Sequence, residues 1–472
     1  MAPEIASRFF WLLLSNTTGK IAWALTTFLL ARGLGAEDFG RVATLWAAGG
    51  LAAGCTDLGL TTVLLRESSH DAARLAKLYA LTFRLKALLS IAVAAIIIAL
   101  FTLSHQTALS AALIAVAVST PLLDHFSTLF LAVSQVAGTH RAFSALRTAY
   151  FLCVAGGMAL ILKFPQPLAW TIALYGALTL AYVTVCAFHL RASVPSTAAP
   201  PERLAATLRA GLPFFMFGTL ALAYCRLEVL ILNFYSGPAA AGVYNVAYQV
   251  VLVGYSVSSL LINSALPTWF RDSAWSPRLL EDSRGIVRML GLWAVLLSPP
   301  LMWYGPGILE LLTGRASAEA ANVFRTLVLF LVILPWTVPL NLLVVTHRLG
   351  LRILCDVIAI ALTGLIGALA AARFGGVAVA AAAVSSYTLA MAISISAART
   401  RLPKLRILSV AYAPLVWRAA LASPAMLLTD NVWVGSIAYG AALAAVLTLT
   451  RYWSPAEKQL ARNLWSAPVR AN

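Results

Sequence analysis

Apolar residues along the chain gather into fourteen stretches, each bounded by a short polar loop. Each stretch holds the roughly 20 predominantly apolar residues that a helix rising about 1.5 Å per residue needs to cross a hydrocarbon core about 30 Å thick. The approximate spans are 8–32, 39–66, 78–103, 107–135, 141–163, 167–190, 208–234, 240–268, 286–313, 321–346, 349–373, 376–398, 407–428 and 432–452. The pattern predicts an all-α polytopic membrane protein with about 14 transmembrane helices.

Charge fixes the expected orientation. With residue 1 on the cytoplasmic side, the N-terminus, alternate loops and C-terminal tail hold 23 of the 34 Lys and Arg residues, the opposite loops 6 and the span interiors 5. Arg66, Arg74 and Lys77, then Arg271, Arg278, Arg284 and Arg288, then Arg399, Arg401, Lys404 and Arg406 fall on one side, which the positive-inside rule assigns to the cytoplasm. Both termini are therefore expected there. Composition agrees: 61% of residues are hydrophobic and 11% charged, against about 25% charged in a soluble chain. The net charge of +17 sits in loops that flank apolar spans, so membrane lipid headgroups are the expected partner and nucleic acid is not. The first stretch is interrupted by Asn16, Thr17, Thr18, Gly19 and Lys20 and has no small-residue cleavage site, so it reads as a retained span.

Several chemistries are excluded by what the chain lacks. The loops near 191–207 and 269–285 are the longest, too short to fold a catalytic or nucleotide-hydrolysing domain, so no enzyme activity is expected. Gly35 to Val42 resembles a phosphate loop only superficially, because no Lys-Ser/Thr pair follows and no strand precedes it. Cys55, Cys153, Cys186, Cys225 and Cys355 lie within apolar spans without C-x-x-C pairing, and the six His residues never fall four apart. No metal site and no cofactor is expected.

An internal echo organises the chain. Gly35-x-x-x-x-Gly40 follows the first span and Gly237-x-x-x-x-Gly242 the seventh, an offset of 202 residues, and an aromatic stands six residues beyond each pair, Trp46 and Tyr248. Six spans per repeat insert both copies the same way round, which relates them by an axis along the membrane normal. The expected organisation is two pseudo-symmetric six-helix bundles, 1–200 and 201–400, around a central cavity, followed by two additional helices and a tail over 401–472. Gly50-x-x-x-Gly54 permits a close helix contact.

Ionisable residues inside spans are the candidate functional groups, since a charge facing lipid costs about 2.5–3.5 kcal/mol on insertion scales. Lys20 lies deep in span 1, with Asn16 one turn below it on the same face. Arg226 and Glu228 interrupt span 7; Arg226 is a cavity candidate, and Glu228 is either an interhelical partner or a coupling acid. Asn245 and Gln249, one turn apart in span 8, offer amides for sugar hydroxyls or for helix–helix bonds. Asp57 and Lys86 lie at matching depth on either side of the 67–77 loop and suit an ion pair. Arg84 either snorkels to headgroups or waits for an anion at the cavity mouth. Asp124, beside His125 in span 4, is a proton-relay or interhelical hydrogen-bond candidate. Asp356 has Arg352 one turn earlier, and Arg418 stands outside the expected twelve-helix core.

The run Arg32-Gly33-Leu34-Gly35-Ala-Glu-Asp38-Phe39-Gly40, with Asp57-Leu58-Gly59-Leu60 and Arg66-Glu67, resembles the first-repeat signature of bacterial polysaccharide or oligosaccharide-lipid flippases. Gly211-Leu212-Pro213-Phe214-Phe215, Arg226-Leu-Glu228-Val229, Gly242-Val243-Tyr244-Asn245-Val246-Ala247-Tyr248 and Pro267 are similar to that family's second repeat. Members often carry Asp where Glu228 stands. The resemblance implies the multidrug/oligosaccharidyl-lipid/polysaccharide exporter superfamily and the bacterial inner membrane. It implies movement of a polyprenyl-pyrophosphate-linked oligosaccharide, of O-antigen or exopolysaccharide type, from the cytoplasmic to the periplasmic leaflet by alternating access. Other polysaccharide-assembly proteins are then expected partners. Lys20, Arg84 and Arg226 would receive the pyrophosphate, Asn16, Asn245 and Gln249 the sugars, and Asp124 or Glu228 would couple. A cation-coupled multidrug exporter is the alternative, against which Lys20 and Arg226 argue. A membrane glycan polymerase or ligase would need longer outward loops than these.

Overall fold

The computed structural model describes residues 3–70, 73–104, 109–165, 167–193, 204–271, 276–314, 318–345, 348–397, 413–450 and 452. Among them there is no strand. In chain order the helices are α1 (Pro3–Asp57), α2 (Leu60–His70), α3 (Ala73–Leu103), α4 (Ala111–Asp124), α5 (Phe126–Ala137), α6 (His140–Ile161), α7 (Pro167–Ser193) and α8 (Leu204–Ser236). They continue with α9 (Pro238–Arg271), α10 (Pro277–Thr313), α11 (Ala318–Val332), α12 (Thr337–Val345), α13 (Leu349–Ala397), α14 (Ala413–Ala422) and α15 (Val432–Leu449). Short 3₁₀ turns at Leu334–Trp336 and Ser423–Leu428 precede α12 and follow α14.

Among the described residues, eight helices are long and apolar enough to cross a membrane, and up to ten if each of two bent pairs is one span. The difference from the expected fourteen has identifiable sources. Helix α1 joins the first two expected spans across Gly35, at φ 81°, ψ 171°, and α13 joins the eleventh and twelfth across Gly375, at φ 59°, ψ −144°. Both conformations are open to glycine and strained for other residues. The second expected span is bent by 45° between α1 and α2, and the tenth by 46° at the 3₁₀ turn before α12. At the first bend Leu58 and Gly59 are both left-handed, with φ 49° and 71°. A Cβ on Gly59 would stand 2.1 Å from the Gly211 carbonyl oxygen of α8, so glycine serves both the turn and the crossing.

The chain forms two compact units. The first comprises residues 1–253, 309–327 and 348–392. Within it α1 packs against α3, α4, α6, α7 and α8. The two glycine echoes meet here: a Cβ on Gly40 would fall 1.7 Å from the Pro238 carbonyl oxygen, and one on Gly242 would fall 2.2 Å from that of Ala36. Since 238 and 242 are 36 and 40 displaced by the 202-residue offset, the two glycine segments present equivalent positions to each other. Such an exchange of equivalent residues is the mark of an isologous contact.

In the same unit, Lys86 of α3 is fully buried, and its Nζ donates to Asp57 Oδ1 at 2.8 Å and to Thr128 Oγ1 at 3.3 Å. Asp57 also accepts from Thr61 Oγ1 at 2.5 Å, while Thr128 Oγ1 donates to the His125 carbonyl at 2.8 Å. Asp57 ends α1 and His125 separates α4 from α5, so one ammonium joins two helix breaks. In the hydrocarbon depth both breaks release backbone groups that need such partners.

The second unit comprises residues 254–308, 328–347 and 393–472. One of its cores is built on Trp269, Leu279, Val287, Leu290, Val338 and Leu342. The other joins Tyr304 to Leu415, Met426, Tyr439, Leu443 and Leu447. Tyr304 Oη donates to the Met426 carbonyl at 2.8 Å, and Tyr439 Oη to that of Val295 at 2.8 Å. Arg418 is largely buried; its Nε donates to Thr450 Oγ1 at 2.7 Å and its Nη1 to the Pro414 carbonyl. It thereby ties α14 to the end of α15.

Two stability outcomes follow from this packing. Gly242→Ala forces the α1–α9 crossing apart and should lower stability by about 1–3 kcal/mol, the usual range for overpacking. Gly285→Ala, inside α10 where nothing lies within 4 Å, should not lower it and should gain up to about 1 kcal/mol of helix propensity; thermal denaturation in detergent compares them. Lys86→Met strands the Asp57 carboxylate and should cost about 3–5 kcal/mol, whereas the double variant Asp57→Asn/Lys86→Met should regain most of the loss. A double variant no more stable than Lys86→Met would contradict the pairing.

Candidate functional site

A cavity of about 330 Å³ opens within the first unit. The first limb of α1 contributes Gly19, Lys20 and Trp23, and its second limb Trp46, Gly50 and Ala53. Pro121 and Asp124 come from α4, His125 from the break after it, Arg147 and Phe151 from α6, Tyr175 from α7, Arg226 from α8, and Gln249 and Leu252 from α9. The kink at Gly35 folds α1 back on itself, so that one helix supplies two walls.

Small residues make the space. A Cβ on Gly19 would stand 2.6 Å from the Phe151 ring, and one on Gly50 would touch the Arg226 guanidinium at 3.5 Å. Aromatic rings line one side: Trp23 and Trp46 have centroids 5.6 Å apart, Trp23 and Tyr175 5.5 Å, and Trp46 and Tyr175 4.9 Å. Arg147 Nη1 donates to Ser127 Oγ at 2.8 Å, and its Cζ lies 5.5 Å from the Phe151 centroid. That bond and ring fix the guanidinium beside the cavity.

Of the residues singled out in the sequence, Lys20, Asp124, Arg226 and Gln249 are brought together in this lining. Asn245 lies half-buried one turn from Gln249 on α9, outside the lining. The side chain of Asn16 falls outside the described residues. Arg84 is exposed on α3, away from the cavity, and Glu228 is 1% exposed on α8 and does not line it. Asp57 and Lys86 make the ion pair described above and also stand outside the lining. Arg352 Nε donates to Asp356 Oδ2 at 2.8 Å, one turn along α13.

Arg147 and the aromatic triangle were not legible as site residues in the sequence. Arg147 lies six residues into its expected span, close enough to the end to read as a flanking cation. Trp23 and Tyr175 sit among many apolar neighbours with nothing in their spacing to separate lining from packing. Trp46 carried one signal, its position six residues beyond Gly40 in the internal echo.

Among the described residues the lining sets three basic side chains, Lys20, Arg147 and Arg226, against one carboxylate, Asp124. Convergent guanidinium and ammonium groups suit phosphate-type oxyanions, which they hold by charge-assisted hydrogen bonds. Among the described residues no group of three or more His, Cys, Asp or Glu side chains is placed to hold a metal ion.

Residues 5–271 match the model of the family described as polysaccharide biosynthesis protein. No curated protein sequence matches the chain. Among solved structures, the lipid II flippase MurJ in an inward closed conformation is similar with a TM-score of 0.72 at 10% identity, over 93% of this chain and 98% of that one. An inward-facing multidrug resistance transporter of the MATE family and MOP superfamily gives a TM-score of 0.60 at 15% identity, over 82% and 95% of the two chains. A Pyrococcus furiosus transporter of the MOP superfamily, described as having a binding pocket of reversed polarity, gives 0.56 at 14% identity, over 84% and 96%. These identities carry the fold alone. The chain is a multi-pass membrane protein that belongs to the polysaccharide biosynthesis protein family, and its fold is that of the MurJ and MATE transporters of the MOP superfamily.

Proposed function

We propose that the protein is a flippase that carries a polyprenyl-pyrophosphate-linked oligosaccharide from the cytoplasmic to the periplasmic leaflet of a bacterial inner membrane. It serves the assembly of a cell-surface polysaccharide such as O-antigen or exopolysaccharide, alongside other assembly proteins. The observation that carries this reading is the three-to-one excess of cations over carboxylates in the cavity lining. The family match and the fold shared with a lipid II flippase support it.

In this reading Lys20, Arg147 and Arg226 receive the pyrophosphate, the Gln249 amide meets a sugar hydroxyl, and the prenyl chain stays in lipid. Two six-helix bundles, 1–200 and 201–400, rock about the bound headgroup, and 401–472 adds two helices and a tail; both termini are cytoplasmic. The direction of movement has a physical source, because an interior-negative potential favours outward passage of an anion by about 2.3 kcal/mol per charge for each 100 mV. Asp124 and Glu228 remain candidate coupling acids.

Leaflet-resolved assays in proteoliposomes test the reading with a polyprenyl-pyrophosphate oligosaccharide as substrate. Lys20→Ala and Arg226→Ala should each slow flipping by about tenfold or more, since a hydrogen bond to a charged group is worth about 1.5–3 kcal/mol. Full transport in both variants would remove the cationic site from the mechanism. An imposed interior-negative potential should speed outward movement and its reversal slow it; a rate indifferent to potential would mean that the headgroup crosses with its charge neutralised. Movement of cationic drugs, with none of any glycolipid, would place the protein with the multidrug exporters that share its fold.

A further inference from the structure

A second group of cations lies outside the cavity, in the second unit, where α10, α14 and α15 meet. Tyr452 stands just past α15, and its N–H donates to the Leu447 carbonyl at 3.0 Å, which folds the residue back against the last turn. Arg288 of α10 donates from Nη2 to the Tyr452 carbonyl at 3.0 Å, and its Cζ lies 4.8 Å from the centroid of the Tyr452 ring. Arg418 of α14 brings its Cζ to 5.1 Å from the same centroid and to 4.2 Å from that of Trp417. One tyrosine thus draws two guanidiniums.

These partners position the cations without neutralising them. An aromatic face and a carbonyl oxygen carry partial charge only, and the C-terminus of α15 adds about half an elementary negative charge against two full positive ones. Among the described residues Arg418 forms no ion pair with a carboxylate. Its Nε and Nη1 are engaged by Thr450 and the Pro414 carbonyl. A guanidinium has five N–H donors, so Nη2 is left for an acceptor from outside. It meets none among the described residues and is not closed off from the surface. Arg288, half-buried, reaches that surface beside it.

The surroundings say what kind of anion fits. Val416, Trp417 and Leu421 on α14, Leu449 on α15 and Met289 beside Arg288 are all exposed, so the cations are rimmed by apolar side chains that face lipid. Arg288 opens the ninth expected span and Tyr452 closes the fourteenth, which puts the cluster at a membrane edge, on the side where the loops are richest in Arg. Basic pockets between transmembrane helices at that level suit phospholipid headgroups. A soluble anion would use the charge and leave the apolar rim bare, whereas an amphiphile uses both.

We propose that Arg288, Arg418 and Tyr452 form a binding site for an anionic phospholipid of the surrounding membrane. The headgroup lies against Arg418 Nη2 and the Arg288 guanidinium, and the acyl chains run along Trp417, Leu421 and Leu449. Arg288 already joins α10 to the end of α15, and Arg418 joins α14 to it. A bound headgroup therefore completes a clamp over three helices. The site does not depend on the flippase reading, because the cavity belongs to the first unit and this cluster to the second.

Native mass spectrometry of the purified full-length protein, titrated with lipid in detergent, tests this. The probes are phosphatidylglycerol and cardiolipin, phosphatidylcholine as a zwitterionic lipid with the same chains, and glycerol 3-phosphate as a headgroup without chains. The anionic lipids should bind about tenfold or more tighter than phosphatidylcholine, and glycerol 3-phosphate should not displace them. Arg288→Gln and Arg418→Gln should each weaken anionic-lipid binding about fivefold, while Arg84→Gln, which alters an exposed arginine on α3, should leave it unchanged. Arg288 is the less buried of the two cations, so its variant reads the site even if Arg418→Gln folds poorly. Anionic lipids bound no tighter than phosphatidylcholine, an affinity unmoved in Arg288→Gln, or an equal loss in Arg84→Gln would overturn the site. Displacement by glycerol 3-phosphate would overturn the lipid assignment in favour of a plain phosphate.

Discussion

A charge at the depth of the hydrocarbon core must have a partner or a wet surface, and much of this architecture is a set of answers to that requirement. Lys86, itself fully buried, answers it with Asp57 and Thr128. Arg352 answers it with Asp356 on its own helix, and Arg418 with Thr450 and the Pro414 carbonyl. Lys20, Arg147 and Arg226 answer it by lining one cavity, where among the described residues they outnumber the carboxylate of Asp124. The Lys86 and Arg418 arrangements join separate helices, and the Arg352–Asp356 pair closes on one. The last is the arrangement on which the proposed function rests.

The same backbone economy shapes the walls. Helix breaks at Leu58–Gly59 and at His125 interrupt α1–α2 and α4–α5 within apolar spans. Irregular backbone at that depth is tolerated where protein or a cavity covers it. Gly211 covers the first break, the Lys86 network reaches both, and Asp124 and His125 at the second face the cavity. The site is thus built next to places where the helical ladder is open.

Hydropathy alone carried the class, the length of the elements and the alternation of charge, because a membrane imposes a linear rule on sequence. Its breaks between the first and second spans and between the eleventh and twelfth fall where Gly35 and Gly375 leave helical geometry. Lys20 and Arg226 were legible because a cation in mid-span is anomalous in any sequence. Arg147 was not, because depth near a span end is ambiguous to within a turn or two. The aromatic triangle is a product of three helices meeting, a relation that spacing within any one of them does not encode. Asn245 and Glu228 show the converse: polar residues near the cavity in sequence that point elsewhere once helix rotation is fixed.

The reciprocal crossing at Gly40 and Gly242 is the contact two identical chains would make about a dyad. A true dyad would offer every ligand two indistinguishable poses. In this chain the register that pairs 36 with 238 also pairs Lys20 with Leu222 and Ala24 with Arg226, so neither cation has a twin. The crossing is reciprocal while the cations beside it are not repeated across it, so the chamber has a head and a tail.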